Sequence, residues 1–428
     1  MKRKSASTTR STGLASKLVA AIRIGFFSLL LFLVAGCAGY SSQVRKARHL
    51  FESGDFENSA KELEPLAAKE SNDQLLYLLD LGLIYHSAGR YEDAIKTFLK
   101  AEKIADIKDY TSITAEAAAV ITNEQVLPYK GEDFEKILIN VFLAIDYTLA
   151  GKWDDALVEC RRVNHKLDLM RQQGQLPYER NAFAKYLAAV LFEARGESND
   201  AFVDYRQLAS WKQGTPYLGA PLLRLAEKLH AEQEFQIYKK QFPSTSDYRI
   251  GRNEGEIIVL LEMGKGPVKV PNPSFRLVPM FERRNYRTAY AEVRVDSLAP
   301  VRTQTLFDIE ATAIDQLQKK MAIIMARKVG GVVVKEVIAE RVRKATDSEF
   351  LGLLTKVILH MTDQADLRSW STLPASLQLA RIRVPAGTHR VSLDLAYRSG
   401  GSRQSVKEWA EIKVGRGKKV FLNHHLRD

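Results

Sequence analysis

The stretch Gly89-Arg90-Tyr91-Glu92-Asp93-Ala94-Ile95 predicts the fold of the first half of this 428-residue chain. It recurs in related form beginning at Gly54 (GDFENSA), at Gly151 (GKWDDAL) and at Gly196 (GESNDAF). Recurrence of one short pattern is the signature of a repeat architecture, in which each copy is one structural unit. The four copies therefore predict similar units stacked along the first half of the chain.

Around Gly89 the residues are similar to the helix-pair framework of the tetratricopeptide repeat (TPR). Gly82 and Tyr85 fall on the first helix, and Ala94, Phe98 and Ala101 fall on the second. Small residues let two antiparallel helices approach, while aromatic residues fill the space between neighbouring pairs. The same positions hold Ala47, Leu50, Ser59 and Leu63 in the first copy, Ala144, Tyr147, Ala156 and Cys160 in the third, and Ala189, Phe192, Ala201 and Tyr205 in the fourth.

These repeats predict a TPR-like helical domain over residues 44–242. The glycines are 35, 62 and 45 residues apart, so the array is expected to bend at the long gap. A single last helix, Leu222 to Lys240, is predicted to cap it. Cys160 occupies the position of Phe98, which predicts a small buried residue and not a nucleophile or a metal ligand.

Arrays of helix pairs function by binding, because the stacked pairs expose an extended surface and position no acid, base or nucleophile. Arg161 and Arg162 are candidate partner contacts, since an arginine can bind a carboxylate with two hydrogen bonds. The alternative is a solvated helix face with local Glu–Arg pairs. Both interpretations stay open at this point.

The spacing of the apolar residues changes after residue 246, and residues 247–365 predict a mixed α+β domain. Short β-branched runs at residues 255–261, 268–270 and 289–295 indicate strands. Apolar residues from Leu306 to Ile324 follow a helical period, and a further helix is predicted at residues 332–343.

Residues 366–428 predict a small antiparallel, sandwich-like β unit. Its four candidate strands are residues 377–384, 389–396, 406–414 and 420–426, separated by Gly-rich turns. His424 and His425 are candidate metal ligands. Consecutive strand residues point to opposite faces, which disfavours a metal site. The predicted fold class is thus multidomain, α then α+β.

The N-terminal residues 1–36 have the layout of a secretory signal. Residues 1–23 hold six basic residues and no acid, and an apolar run follows to Val34. An uncleaved membrane anchor is the less favoured alternative, because the apolar run is short unless Arg23 enters the bilayer.

Val34, Ala35 and Gly36 before Cys37 resemble a bacterial lipobox. The resemblance implies cleavage after Gly36 and lipid on Cys37, with residues 37–43 as a lipidated linker and no other cofactor. Several acyl chains give a stable membrane anchor. Because Ala38 is not Asp, the resemblance also implies the outer membrane, with the protein facing the periplasm.

The net charge changes once the signal is set aside. Without residues 1–36 the chain has 392 residues, and its formal charge falls from +12 to +6. The surplus lies in the second half, where residues 319–344 sum to +6 and residues 398–428 to +5. An anionic envelope surface is a candidate partner, with a solvated helix surface as the alternative. Nucleic acid is not expected outside the cytoplasm.

Several motifs together resemble an uncharacterised family of bacterial TPR-like lipoproteins with a β-rich C-terminal half. They are Asp366-Leu367-Arg368-Ser369-Trp370-Ser371-Thr372-Leu373-Pro374, Glu159-Cys160-Arg161-Arg162-Val163-Asn164, residues 257–270 (IIVLLEMGKGPVKV) and Val384-Pro385-Ala386-Gly387. The resemblance implies fold and location and no catalytic residues.

The leading hypothesis is a non-enzymatic, outer-membrane-anchored scaffold whose repeats bind another envelope protein. A narrower alternative is regulation of peptidoglycan synthesis. An envelope hydrolase in the mixed α+β domain is less favoured, because the sequence has no Gly-x-Ser-x-Gly, no His-Glu-x-x-His and no phosphate loop.

Overall fold

The computed structural model describes residues 40–110, 127–172, 180–211, 215–245, 247–274, 276, 278–286, 288–321, 365–397 and 404–427. Residues 1–46 and residues 47–428 form two units. In the first, helix α1 comprises Tyr40–Gln43. The predicted signal, Cys37 and the predicted helix at 332–343 lie outside the described residues.

Ten helices in the described part of the chain form five successive hairpins, which confirms the predicted helical repeat half. Their bounds are α2 Arg45–Ser53, α3 Phe56–Ala68, α4 Gln74–Ser87, α5 Tyr91–Tyr110, α6 Asp133–Leu149, α7 Trp153–Gln172, α8 Ala182–Arg195, α9 Ser198–Ser210, α10 Gly219–Lys228 and α11 Glu232–Gln241. No helix among the described residues has the length and apolar character needed to cross a membrane.

The glycine of each repeat motif makes the turn inside a hairpin. Gly54, Gly89, Gly151 and Gly196 all have φ between 75° and 87°, the left-handed region that glycine adopts without strain. The next N–H then bonds back to a carbonyl five residues earlier, as from Arg90 to Tyr85 at 2.9 Å. This is the hydrogen bond of a Schellman helix end.

The last hairpin corrects the sequence analysis. The predicted single helix from Leu222 to Lys240 is broken between α10 and α11, where His230 has φ 57°. The N–H of Ala231 bonds to the carbonyl of Ala226 at 2.9 Å, as in the other hairpins. The turn was missed because histidine replaces the glycine, and histidine is one of the residues that tolerates a positive φ.

The second half folds into two four-stranded sheets and one two-stranded ribbon. The strands are β1 Glu254–Met263, β2 Val268–Pro271, β3 Pro279–Glu282, β4 Thr288–Val295, β5 Val301–Arg302, β6 Gln304–Asp308, β7 Ser376–Pro385, β8 Gly387–Tyr397, β9 Gln404–Val414 and β10 Lys419–Leu426. The first sheet has the order β10-β1-β7-β6, the second has the order β5-β4-β8-β9, and β2 pairs with β3. Of these pairs β1–β10 is parallel and the rest are antiparallel.

The two sheets stack on each other, and the helices cover the other face of the first sheet. Ile257, Val259 and Leu261 of β1 join the core between the sheets. The alternate residues, among them Glu256 and Glu262, face the helices, since successive strand residues point to opposite sides. A strand that is buried on both faces has a continuous run of apolar residues, and in β1 this run covers residues 257–261.

The predicted C-terminal β unit is present as four strands but does not form a sheet of its own. Strands β7 and β10 flank β1 in the first sheet, while β8 and β9 lie in the second beside β4. Each four-stranded sheet therefore draws on both predicted ranges, 247–365 and 366–428. Residues 47–428 form one unit, where the sequence predicts separate domains.

The long helix predicted from Leu306 begins later. Leu306 and Phe307 belong to β6, which pairs with β7, and helix α12 covers residues 309–321 of the described chain. Both residues are buried, so an apolar pair at the end of a strand was misinterpreted as the first turn of the helix.

Candidate functional site

The first helices of the second, third and fourth hairpins, α4, α6 and α8, are enclosed by protein. All but the last residue of α4 is buried, and so is most of α6. A helix that is apolar around its whole circumference is expected to be buried on all sides. Three polar side chains on these helices, Asp80, Glu135 and His86, face the first sheet or residues 365–375, which we term the inserted segment. They make up the candidate site.

Asp80 on α4 holds the inserted segment. Its carboxylate accepts hydrogen bonds from the Ser371 hydroxyl at 3.2 Å, the Thr372 N–H at 3.1 Å and the Thr372 hydroxyl at 2.8 Å. Asp80 is buried, so these donors replace the water that the carboxylate loses. The contact depends on hydroxyl groups at both positions of the segment.

Trp370 anchors the middle of the inserted segment. Its indole packs against Phe98 and Phe142 with ring centroids 5.7 and 5.6 Å away. Its main-chain N–H donates to the Glu135 carboxylate at 2.6 Å, and its indole N–H donates to the Thr372 hydroxyl at 3.1 Å. The tryptophan thus fills an apolar site between two hairpins while its polar atoms are hydrogen-bonded.

Arg368 ties the start of the inserted segment to the helices. One guanidinium nitrogen donates to Asp73 at 2.9 Å and to the Leu127 carbonyl at 3.0 Å. The guanidinium also binds Asp366 at 2.8 to 3.1 Å. Burial alone would raise the pKa of Asp366, but the bond to Arg368 outweighs it and lowers that pKa.

Glu135 on α6 is a buried carboxylate with an altered pKa. Burial and the nearby charge of Glu132 raise the pKa of Glu135 to about 7, although Trp370 and Tyr129 donate hydrogen bonds to it. An acid with a raised pKa in the folded state contributes most stability at low pH, and that contribution decreases as the pH rises towards 7.

A buried ion network joins the fourth hairpin to the first sheet. Arg381 of β7 donates to Glu193 of α8 at 2.9 Å and to Glu256 of β1 at 2.7 Å. Lys419 of β10 binds the same two carboxylates, and Arg224 of α10 binds Glu193. Burial would raise the pKa of Glu256, but the cations lower it to about 2, so it stays ionised.

A second buried cluster joins the second and third hairpins to the sheet. Nδ1 of His86 lies 2.5 Å from Asp146, and Nε2 lies 3.5 Å from Glu262 of β1. Asn423 and Tyr91 also border the ring. Burial would lower the pKa of His86, but the two carboxylates raise it to about 10, while burial raises the pKa of Asp146 to about 6. At neutral pH the two residues therefore form an ion pair.

The structure places the repeat positions of the TPR-like framework inside the hairpins. A Cβ atom on Gly82 would lie 2.6 Å from the Phe98 ring, so the two helices approach at that point. Of the other framework positions, Tyr147 is only half-buried, while the following are buried: Tyr85, Ala94, Phe98, Ala101, Ala144, Ala156, Cys160, Ala189, Phe192, Ala201 and Tyr205. Burial raises the pKa of the Cys160 thiol to about 12.

The two candidate partner contacts differ. Arg162 pairs with Glu102 at 3.0 Å and with Glu159 at 3.1 Å, which is the local pairing that the sequence analysis gave as the alternative. Arg161 is exposed and its guanidinium lies 5.8 Å from the Phe192 ring centroid. Val34, Ala35, Gly36 and Cys37 lie outside the described residues.

His424 and His425 lie on opposite faces of β10. His424 faces Trp409 of the second sheet, with ring centroids 6.5 Å apart, whereas His425 lies 2.9 Å from the Ser87 hydroxyl of α4. Within the described ranges, no group of three His, Cys, Asp or Glu residues is placed to hold a metal ion.

The polar residues of the buried site were missed by the sequence analysis, although a signal for them exists. Asp80 stands alone in the apolar run LLYLLDLGLIY, and Asp146 does so in INVFLAIDYTL. A single acid within a helix that is apolar on every side must find a partner inside the protein. The sequence does not show that the partners come from the second half.

Comparison with known proteins gives only remote likenesses. No protein-family model matches the sequence, and neither does any curated protein. The similar solved structures include TPR-like repeats of a putative kinesin light chain from Podosopora anserina (15% identity, 48% of this chain and 96% of that chain, TM-score 0.31). MamA (15%, 49% and 95%, 0.31) and PilF of Pseudomonas aeruginosa (15%, 55% and 91%, 0.31) are others. At these TM-scores they support no inference about this chain.

Replacing Trp370 by alanine is expected to lower the free energy of unfolding by about 3 to 5 kcal/mol, because the indole is fully buried. Urea unfolding of the full chain measures this. Trp409→Ala is the matched control and should lose less, since that side chain is only half-buried in strand β9. A loss for Trp370→Ala no larger than for the control would contradict the anchoring role.

The His86–Asp146 pair is expected to make stability depend on pH. The pKa of His86 rises from 6.5 to about 10 on folding, so its contribution is full below pH 6.5 and is lost as the pH rises through 10. The difference in unfolding free energy between wild type and His86→Gln should therefore shrink from pH 6.5 to pH 10. The exposed His165→Gln is the control. A constant difference for His86→Gln would refute the pair.

Proposed function

We propose that this chain is a non-enzymatic scaffold, anchored to the outer membrane by lipid on Cys37, that binds another envelope protein. The outer faces of its helical repeats form the binding surface. The signal layout of residues 1–36 and the lipobox resemblance support the anchor. Ala38 supports the outer membrane, with the scaffold facing the periplasm.

The assignment to the outer faces follows from the burial of the first helices. Asp80 and Glu135 on those helices already bind the inserted segment. Glu193 and His86 are paired with the first sheet or with a neighbouring helix. A partner would have to displace these buried contacts to use the inner face, whereas the second helices keep one side in solvent.

A row of exposed aliphatic side chains on the second helices is the observation that carries the proposal. Val158 on α7, Val203 on α9 and Ile237 on α11 are 41%, 52% and 58% exposed. Each stands seven residues after the turn residue of its hairpin, which is Gly151, Gly196 or His230. Single exposed apolar residues are common, but here one position is exposed and apolar in three neighbouring units. We term Val158, Val203 and Ile237 the outer patch.

Charged residues flank each aliphatic side chain in the same order. An acid stands three positions before it, and a base stands three positions after it, on the same side of the helix. The acids are Asp155, Asp200 and Glu234, and the bases are Arg161, Arg206 and Lys240. Such a rim around an apolar centre is typical of protein interfaces. It gives Arg161 a role as a partner contact.

The last two outer helices lie side by side. Arg206 of α9 and Glu234 of α11 form an ion pair at 3.7 Å, and the rings of Phe202 and Tyr238 are 6.2 Å apart. One partner surface can therefore contact Val203 and Ile237 together. In the first two hairpins Lys61 and Lys96 occupy the aliphatic position, so the patch is confined to the last three.

The non-enzymatic part of the proposal is supported by how the buried titratable groups are used. Glu135, Glu256 and His86 have altered pKa values, a feature that also occurs at catalytic sites. Here each is bound by side chains or main-chain groups of the same chain. A structural role explains their altered pKa values without a substrate.

Replacing the three aliphatic residues by aspartate is expected to abolish partner binding. Affinity capture of the tagged full chain from detergent-solubilised envelopes, with mass spectrometry, measures recovery of bound proteins. A partner recovered by wild type should be lost with Val158→Asp, Val203→Asp and Ile237→Asp combined, because buried carboxylates disrupt an apolar contact.

Lys61→Asp with Lys96→Asp is the matched control, since it changes the same position in the first two hairpins. The partner should still be recovered with this control. Equal recovery by wild type and the aliphatic variant, or equal loss with the control, would argue against the outer patch.

Cys37→Ala is expected to prevent incorporation of labelled fatty acid in cells and to release the chain from the outer-membrane fraction. Metabolic labelling and membrane fractionation measure the two effects. Persistent labelling of the variant, or a wild-type chain recovered free of membranes, would refute the lipid anchor while leaving the binding surface untouched.

A further inference from the structure

Three turns meet at one end of the two stacked sheets. They are residues 251–254 before and at the start of β1, residues 385–387 between β7 and β8, and residues 415–418 between β9 and β10. The strand pairing brings them together, because Glu254 is opposite Pro385 and Gly387 is opposite Val414. We term this region the basic end, after the residues described below.

Hydrogen bonds between the turns hold the basic end in one arrangement. The N–H of Ala386 donates to the Asn253 carbonyl at 2.8 Å, and the N–H of Gly417 donates to the Glu254 carbonyl at 2.7 Å. Arg416 also donates to the Asn253 side chain at 2.9 Å. Side chains carried by these turns are therefore positioned by a common main-chain framework.

Four exposed cations stand on this framework. Arg252, Arg416 and Lys418 lie on the turns, and Lys413 lies one residue before the end of β9. Among the described residues, no carboxylate pairs with any of the four. Glu411 is the exposed acid nearest to them along β9, so the region keeps a positive charge.

The other carboxylates nearby are already bound by other cations. Asp247 and Glu254 pair with Arg383, and Glu227 pairs with Arg249. Asp296 is bound by His389 at 2.6 Å. Within the described ranges, no carboxylate is therefore paired with the four cations, and their exposed side chains can reach an anionic group outside the chain.

An exposed leucine accompanies the cations. Leu298 is 40% exposed and lies in the turn after β4. That turn adjoins the start of β8, because Asp296 and Arg390 exchange hydrogen bonds of 3.0 and 2.8 Å. An apolar side chain at the same end of the sheets as several lysines and arginines suits a lipid surface, where cations meet phosphates and the apolar group enters the acyl boundary.

We propose that the basic end binds a membrane surface that carries anionic phospholipid headgroups. Three of the cations stand on exposed turns that are hydrogen-bonded to one another, and Lys413 stands at the adjoining end of β9, so the four can face one extended anionic surface. Leu298 favours a lipid surface over a soluble polyanion. This interaction goes beyond the scaffold function, since it depends neither on lipid at Cys37 nor on the outer patch of the repeats.

The position of the C-terminus allows a direct test. Lys419 begins β10 at the basic end, and Leu426 ends the strand opposite Met263 at the other end. Full-length chain immobilised on beads through a C-terminal tag therefore keeps the basic end accessible. After detergent removal, retention of phosphatidylcholine vesicles is compared with retention of vesicles that also contain phosphatidylglycerol.

Wild type is expected to retain the phosphatidylglycerol vesicles more strongly than the neutral ones. The combined variant Arg252→Glu, Lys413→Glu, Arg416→Glu and Lys418→Glu should lose this preference by about tenfold or more. The control combines Lys61→Glu, Lys69→Glu, Lys96→Glu and Lys239→Glu. It changes the net charge by the same amount on the repeats and should retain the preference. Lys413→Gln and Lys418→Gln alone should each give a partial loss without charge reversal.

Three results would overturn the proposal. Equal retention of neutral and anionic vesicles by wild type would show that the chain does not recognise anionic headgroups. Equal loss with the repeat control would show a net-charge effect. No effect of Leu298→Ser, with loss of vesicles on adding polyphosphate, would identify a soluble polyanion as the ligand. Repeating the assay with Cys37→Ala separates this surface from the lipid anchor.

Discussion

The buried pairing of Arg381 with Glu193 and Glu256 joins the helical half of the chain to the first sheet. Ionised groups removed from water are tolerated only when their partners satisfy them, and removing one partner leaves an uncompensated charge. Glu193 belongs to the helices and Glu256 to the sheet. The two layers therefore cannot separate without exposing these charges to water or leaving them buried without a partner. The network thereby makes one unit out of a helical half and a β half that the sequence presents as separate.

This coupling decides which surfaces remain for other molecules. The first helices of the second, third and fourth hairpins would be the open inner face of a free array. Here they are covered by the first sheet and by the inserted segment. The helices bind the inserted segment through the contacts of Trp370 and Asp80, and that segment is part of the same chain. One side of the second helices and the turns at the basic end stay in solvent.

Features that depend on interactions between neighbouring residues were predicted correctly from the sequence. Glycine turns and period-two strands are local, so the hairpins at Gly54, Gly89, Gly151 and Gly196 and the four C-terminal strands were placed where the structure has them. The fifth hairpin was missed because His230 replaces glycine. Leu306 was misassigned because a buried strand end and a helix start have the same apolar composition.

Local sequence patterns predict the helical repeat, the positions of most strands and the apolar character of the buried first helices. The folded chain was needed to show that β10 lies parallel to β1, that the inserted segment packs on the helices, and that isolated polar residues such as His86 and Asp146 meet. The reason is physical: local conformation depends on neighbouring residues, whereas a buried charge is stabilised by whichever distant strand or helix brings its partner.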